Sequence, residues 1–205
     1  MSGYLSVDGK ARHEIVIERS RFITTAAYVE SSAQARAVIA DIRKEYSGAT
    51  HNCYAYIIGG EQKSSDDGEP QGTAGAPIME VLKRRNLNFT LIVVTRYFGG
   101  VKLGAAGLVS AYTRAAAETL DKSQFVEHIN SAVFRVELKY GDYQKAQKAI
   151  ADFGEIIDSE FNDTVNLRLA VPTENADKIV HSINELSSGS AKIENLETKY
   201  YTYKR

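Results

Sequence analysis

An acidic segment that contains several glycines is the first candidate for chemistry in this sequence. It reads SSDDGEPQGTAGAP from Ser64 to Pro77 and carries Asp66, Asp67 and Glu69. Three carboxylates this close together can hold a divalent cation or act as general bases. They can also accept hydrogen bonds from backbone amides and pair with nearby cations. The spacing does not match a calcium-binding loop, and no metal or cofactor is assigned. A structural or partner-contact role is favoured, and the three residues are kept as candidate catalytic groups.

A glycine-rich segment, TRYFGGVKLGAAG at residues 95–107, is the second candidate. It follows a run of apolar β-formers and opens an alanine-rich helical pattern, where free backbone amides and the helix dipole attract anions. Lys102 offers a point charge to a phosphate, and Arg96 offers a bidentate fork. The glycines that would leave room for an anion are Gly99, Gly100 and Gly104. The order of glycine and lysine matches neither a P-loop nor a dinucleotide fingerprint, so a tight structural turn is the alternative.

The charge around this segment is one-sided. Between residues 81 and 117 there is no acidic residue, and the six basic ones are Lys83, Arg84, Arg85, Arg96, Lys102 and Arg114. The cluster at 83–85 stands near a predicted helix end, where cations also complement the helix dipole. If that helix end and the strand-to-helix turn face the same way, they form a positive groove that fits a phosphate backbone.

A histidine and the single cysteine stand two positions apart in HNCYAY, residues 51–56. On a strand, His51 and Cys53 project from the same face, which allows a Cys–His nucleophilic pair. A lone cysteine in a strand is more often a small buried apolar residue, and we favour His51 as a hydrogen-bonding partner of the acidic segment. At the end of the chain, three tyrosines lie among basic residues at 199–205. Cross-strand packing is favoured there over stacking on bases.

The composition describes an ordinary globular protein with room for two domains. The chain has 205 residues, of which 43% are hydrophobic and 25% charged, and a formal net charge of −1. This charge gives no global reason to expect a nucleic-acid or membrane partner. No apolar run approaches the ~20 residues that span a bilayer, and the first residues lack the pattern of a signal peptide. We therefore expect a cytoplasmic protein without a membrane partner.

Periodicity predicts the elements that position these segments. Strands are expected at 13–18, 22–29, 51–58 and 89–97, the last one central because it is almost continuously apolar. Helices are expected at 31–46, with a serine N-cap, around Pro77, and at 104–121. Residues 59–73 are expected to form a polar loop.

The second half predicts a separate domain. The strands are expected at 125–140, 155–161, 164–171 and 192–203, with helices at 143–153 and after Thr173, which can serve as an N-cap. The order βαββαβ is the ferredoxin-like arrangement. The predicted domains are therefore residues 1–124 and 125–205.

Three strings together resemble the YigZ/IMPACT family: HNCYAY, SSDDGEPQGTAGAP and VVTRYFGGVKLGAAGLVSAY. The resemblance implies an α+β protein. Its first domain would be like the second domain of ribosomal protein S-five, a mixed sheet with helices on one face. Its second would be a ferredoxin-like domain resembling domain V of elongation factor G. For bacterial members the resemblance implies a nucleic-acid- or ribosome-associated role, and it supplies no catalytic residues.

Three functions fit these patterns. The leading hypothesis is a translation-associated regulatory protein, not an enzyme, that binds RNA or a ribosome-linked partner through a basic loop face. The second is an enzyme acting on a phosphorylated or nucleotide substrate, with the acidic residues opposite Lys102. The third is a protein-interaction regulator that binds no nucleic acid. The sequence leaves the identity of the partner and the oligomeric state open.

Overall fold

The apolar run that ends at Tyr97 forms a central strand, as its composition predicts. The computed structural model describes residues 3–204 and divides them into two units, one built mainly of residues 4–127 and the other of 128–203. The first six strands are β1 (Gly3–Val7), β2 (Lys10–Ile17), β3 (Ser20–Tyr28), β4 (His51–Ile58), β5 (Glu61–Ser65) and β6 (Thr90–Tyr97). Five of them form a sheet in the order β2-β3-β6-β4-β5.

Helices cover both faces of this sheet, because its inner strands alternate between two apolar cores. The helices are α1 (Ser32–Glu45), α2 (Gly75–Arg84) and α3 (Gly104–Asp121). Ile92 and Val94 of β6 pack in the core that includes α2 and α3, whereas Leu91 and Val93 pack in the core that includes α1. The α+β class is confirmed. The expected mixed sheet with helices on one face is corrected, since every neighbouring pair is antiparallel and both faces are covered.

Residues 59–73, expected to form a polar loop, contain the edge strand β5. This strand pairs antiparallel with β4, from Glu61 opposite Ile58 to Ser65 opposite Tyr54. Its sequence, EQKSS, is polar and mostly exposed, so it shows none of the alternation that marks a half-buried strand. A short polar edge strand also protects the sheet from pairing with other chains.

The carboxy-terminal unit has the ferredoxin-like order predicted for it. Its elements are β7 (Phe125–Leu138), α4 (Tyr140–Phe153), β8 (Glu155–Phe161), β9 (Val165–Pro172), α5 (Ala176–Leu186) and β10 (Lys192–Lys204). β8 pairs with β9, and β7 pairs with both β9 and β10. Leu167, Ile150 and Ile183 are buried in its core.

The two proposed serine or threonine caps have different outcomes. Ser31 caps α1 as predicted, because its Oγ accepts a hydrogen bond from the Gln34 amide at 3.2 Å. Thr173 does not cap α5: it begins a 3₁₀ turn, and α5 starts three residues later without a side-chain cap. No helix within residues 3–204 is long and apolar enough to cross a membrane.

Candidate nucleic-acid interface

Two loops that follow the strands on either side of β4 meet at one edge of the amino-terminal sheet. β5 and β6 both pair antiparallel with β4, so both run toward the edge at which β4 begins. The acidic loop (residues 66–74) leads from β5 into α2, and the glycine loop (residues 98–103) leads from β6 into α3. His51, the first residue of β4, stands at the same edge. The topology therefore brings together the two segments that the sequence singles out.

A buried ion pair joins the acidic loop to Arg96, the second-last residue of β6. Arg96 Nη1 donates to Glu69 Oε1 at 2.6 Å, and the two side chains are 5% and 4% exposed. Arg96 Nη2 donates to Ser20 Oγ at 3.3 Å, and its guanidinium lies over the rings of Phe22 and Phe98. Arg96 is thus not the open fork for a phosphate that the sequence suggests, because a carboxylate of the same chain already occupies it.

Glu69 extends this pair into a polar chain in the core. Tyr112 Oη donates to Glu69 Oε1 at 2.7 Å, and Cys53 Sγ lies 3.3 Å from Tyr112 Oη. Burial raises the pKa of the Cys53 thiol to about 12 and also raises the pKa of Tyr112. A fully buried thiol with so high a pKa supplies no thiolate near neutral pH. The structure therefore supports the interpretation of Cys53 as a buried residue and gives a Cys–His nucleophile no basis.

Asp66 holds the acidic loop against the start of α2. Its Oδ1 accepts hydrogen bonds from the amides of Ala74 and Gly75 at 3.0 and 2.8 Å, and its Oδ2 accepts one from the Gly72 amide at 2.8 Å. Ala74, at the N-cap position, has no side-chain acceptor of its own. Partial burial raises the Asp66 pKa, but the three amide hydrogen bonds outweigh it, and the net pKa is lowered. Asp66 therefore supports the loop instead of acting as a base.

Replacing Asp66 with alanine is expected to lower the free energy of unfolding by about 2 kcal/mol at pH 7, as for the loss of a strong helix cap. Because the folded pKa lies below the unfolded value of about 3.9, the carboxylate stabilises the fold above that pH and ceases to do so as pH falls through the folded pKa. Urea unfolding from pH 7 to pH 3 should show the difference from the wild type shrinking below about pH 4. A difference that stays constant with pH would contradict this role, and Glu80→Ala, an exposed carboxylate of α2, serves as the control.

Asp67 and His51 complete the bracing of the acidic loop. Asp67 Oδ2 accepts a hydrogen bond from the Asn52 amide at 2.7 Å, and its Oδ1 pairs with Arg43. His51 Nδ1 lies 2.9 Å from the Asp67 carbonyl oxygen, which confirms His51 as a partner of this loop. Of the three candidate catalytic carboxylates, only Glu69 keeps an oxygen without a hydrogen bond in the described chain. That atom, Oε2, lies 3.8 Å from His51 Nε2.

The six basic residues of the acid-free stretch do not converge on one groove. Arg85 pairs with Asp121, the last residue of α3, whereas Lys102 precedes the first residue of that helix. At 1.5 Å per residue, the 18-residue helix puts about 25 Å between those two ends. The helix end at 83–85 and the glycine loop therefore lie at opposite ends of α3.

Most of these cations also have carboxylate partners. Lys83 lies 3.6 Å from Glu80, and Arg114 lies 2.6 Å from Glu118. The two that make no ion pair within residues 3–204 are Arg84 and Lys102, both of them exposed. Only Lys102 belongs to the edge where the two loops meet.

A pocket of about 230 Å³ opens at this edge, between the acidic loop and the start of α3. Its lining is mostly apolar and comprises Glu69, Pro70, Arg96, Phe98, Lys102, Leu103, Gly104, Ala105 and Leu108. Phe98 is 48% exposed, and α3 begins without a side-chain cap. The loops therefore form a concave surface with one free cation, rather than a strongly positive groove.

The sequence did not single out two members of this site, Phe98 and Tyr112. Tyr112 follows the helical apolar pattern of α3, so its spacing indicates only a core position. Phe98 precedes a glycine pair, where its exposure depends on the path of the loop. The one available signal was a large aromatic residue inside a glycine-rich turn. Few apolar side chains in such turns are buried, so this position indicated an exposed ring.

Comparison with known proteins identifies relatives for both units. A family model described as the Impact N-terminal domain matches residues 18–120, and one described as a domain of unknown function (DUF1949) matches residues 136–190. The IMPACT family member YvyE of Bacillus subtilis is 37% identical and covers 98% of this chain and 94% of its own length. YigZ of Escherichia coli is 31% identical over 86% of this chain and 90% of its own.

Two further matches define the extent of the likeness. Protein IMPACT of Oryctolagus cuniculus is 37% identical, but the match covers 44% of this chain and 30% of that protein. A solved structure, described as that of a hypothetical protein, has a TM-score of 0.63 at 28% identity and covers 96% of this chain and 98% of its own. Since relatives align over nearly the whole length and the family model spans half of it, the chain belongs to the IMPACT family.

Proposed function

We propose that this protein is a translation-associated regulatory protein that binds RNA through the start of α3. The observation that carries the proposal is Lys102, an exposed cation without an ion pair in the described chain, placed two residues before the first residue of an uncapped helix. Most other cations of the acid-free stretch neutralise carboxylates of the same chain. A phosphate at this position could pair with Lys102 without displacing a carboxylate of the described chain.

The backbone of α3 adds donors to that charge. The first amides of a helix have no partner within it, and no side chain caps this one. The first three residues of α3, Gly104, Ala105 and Ala106, are small and exposed, so a phosphate can approach the backbone closely. Helix N-termini of this kind bind phosphate through amides and the helix dipole.

The enzyme alternative has weaker support from the same geometry. Asp66 and Asp67 bind backbone amides and Arg43, so they do not face a substrate at Lys102. Arg96 neutralises Glu69, the one acidic residue among the described residues that line the pocket. A binding function needs only the unpaired Lys102 and the free amides at the start of α3. For that reason we prefer it to the enzyme alternative.

The proposal predicts that Lys102→Ala weakens the binding of a single-stranded RNA and makes it less dependent on salt. Removing one phosphate contact should reduce the slope of log K against log salt by about 0.7. Fluorescence anisotropy titrations between 50 and 200 mM salt measure this slope. Arg96 is not a suitable target, because its loss would disturb the fold as well as the surface.

Arg84→Ala is the matched control, since it also removes an exposed, unpaired cation, at the end of α2. Its slope and affinity should equal those of the wild type. Equal effects from both variants would indicate diffuse attraction to the surface, and an unchanged slope in Lys102→Ala would exclude the start of α3 as the binding site.

A further inference from the structure

We propose that the pocket at the start of α3 holds one unpaired base of the bound RNA, stacked on Phe98. The inference rests on the proposed function, because it specifies which form of RNA that site takes. It depends on the pocket, on an exposed aromatic ring and on a carboxylate oxygen that accepts no hydrogen bond in the described chain.

The size of the pocket favours a single base. Its volume of about 230 Å³ is below the roughly 300–1,000 Å³ of pockets that enclose larger small molecules. Pro70, Leu103 and Leu108 make its walls mostly apolar. A flat, weakly hydrated base that has left a helical stack fits such a lining, whereas a base inside a duplex cannot enter it.

Phe98 provides the stacking surface. The guanidinium of Arg96 lies over its ring, 5.6 Å from the centroid, and the side chain is nevertheless 48% exposed. Large exposed aromatic rings beside a cation are the usual platform for single-stranded nucleic acid, because every base has a face that can stack. Lys102, in the same pocket lining, would hold the phosphate of that nucleotide.

Two polar groups of the lining residues lack hydrogen-bond partners in the described chain. Glu69 Oε2 accepts no hydrogen bond, and Arg96 Nε is buried and donates none. Arg96 Nε has no contact with solvent, so a base in the pocket cannot reach it. Glu69 Oε2 is the group left to accept a hydrogen bond from an amino group on the edge of a base.

The test compares single-stranded and duplex RNA of the same sequence. Phe98→Leu, which keeps an apolar side chain in the loop, should weaken single-strand binding at least about fivefold, the lower end of the effect of losing one stacked base. The salt slope should not change, since no charge is removed. Duplex binding should be unaffected. Val109→Ala, an exposed apolar residue of α3, is the control and should behave as wild type.

A strand carrying one 2-aminopurine per molecule, in a set that moves the label along the strand, gives a direct readout. Stacking should quench its fluorescence on binding to the wild type, and Phe98→Leu should largely remove the quenching. If Phe98→Leu binds the single strand as tightly as the wild type while Lys102→Ala does not, the base pocket is wrong and RNA binding at α3 stands. If neither RNA form binds the wild type, the proposed function itself fails.

Discussion

Arg96→Ala is expected to lower the free energy of unfolding of the amino-terminal domain by about 3–5 kcal/mol, the range for breaking a buried ion pair. The variant leaves the Glu69 carboxylate buried without its cation. It also removes the hydrogen bond to Ser20 and the packing of the guanidinium on Phe22. Urea unfolding followed by circular dichroism measures the loss.

Two further variants separate the buried pair from a general effect of losing an arginine. Arg114→Ala breaks an exposed pair with Glu118 and should leave stability nearly unchanged. Arg96→Leu combined with Glu69→Leu should be more stable than the sum of the single losses predicts, because no charge then remains buried alone. A loss below about 1 kcal/mol in Arg96→Ala would contradict a buried, energetically coupled pair.

Gly99→Ala is expected to destabilise the same domain by about 3 kcal/mol, at the upper end of ordinary overpacking. An added Cβ would lie 2.0 Å from the carbonyl carbon of Arg19 and 2.4 Å from the Ser20 nitrogen. Both neighbours are backbone atoms at the turn between β2 and β3, so neither can rotate away. The glycine loop must therefore shift, and RNA binding through Lys102 should weaken with it.

Gly60→Ala is the matched control. Gly60 lies in the turn between β4 and β5, its φ is outside the left-handed region, and an added Cβ meets nothing within 4 Å. Thermal and urea unfolding should find this variant close to the wild type. Wild-type stability in Gly99→Ala would show that the close approach of the two backbones is not required.

Apolar periodicity predicted most of the secondary structure, whereas the α+β class was implied by the family resemblance. The continuous apolar run at 89–97 even implied that both faces of the sheet are covered, because such a strand has no polar face. The mixed sheet with helices on one face came from the family resemblance, and the strand itself argued against it. β5 was missed because EQKSS is an exposed edge with no apolar alternation to detect.

The charges of the site show why the sequence could locate it but not describe it. The acid-free stretch from 81 to 117 appears strongly basic along the chain. In the fold, Arg96 pairs with Glu69, which is 27 positions away in the sequence. Arg85 pairs with Asp121, which is 36 positions away. Partners at such distances are set by strand order, which a local charge count does not contain. At this edge, Lys102 is the basic residue that remains without an ion pair in the described chain.

The position of bound RNA on the surface tests the central claim most directly. Amide chemical-shift mapping of the full chain, titrated with a single-stranded RNA at moderate salt, reports which residues the ligand touches. We predict that the largest changes occur at residues 98–107, the glycine loop and the first turn of α3, with little change at 83–85. Large changes at 83–85, or none at 98–107 under saturating RNA, would contradict binding at the start of α3.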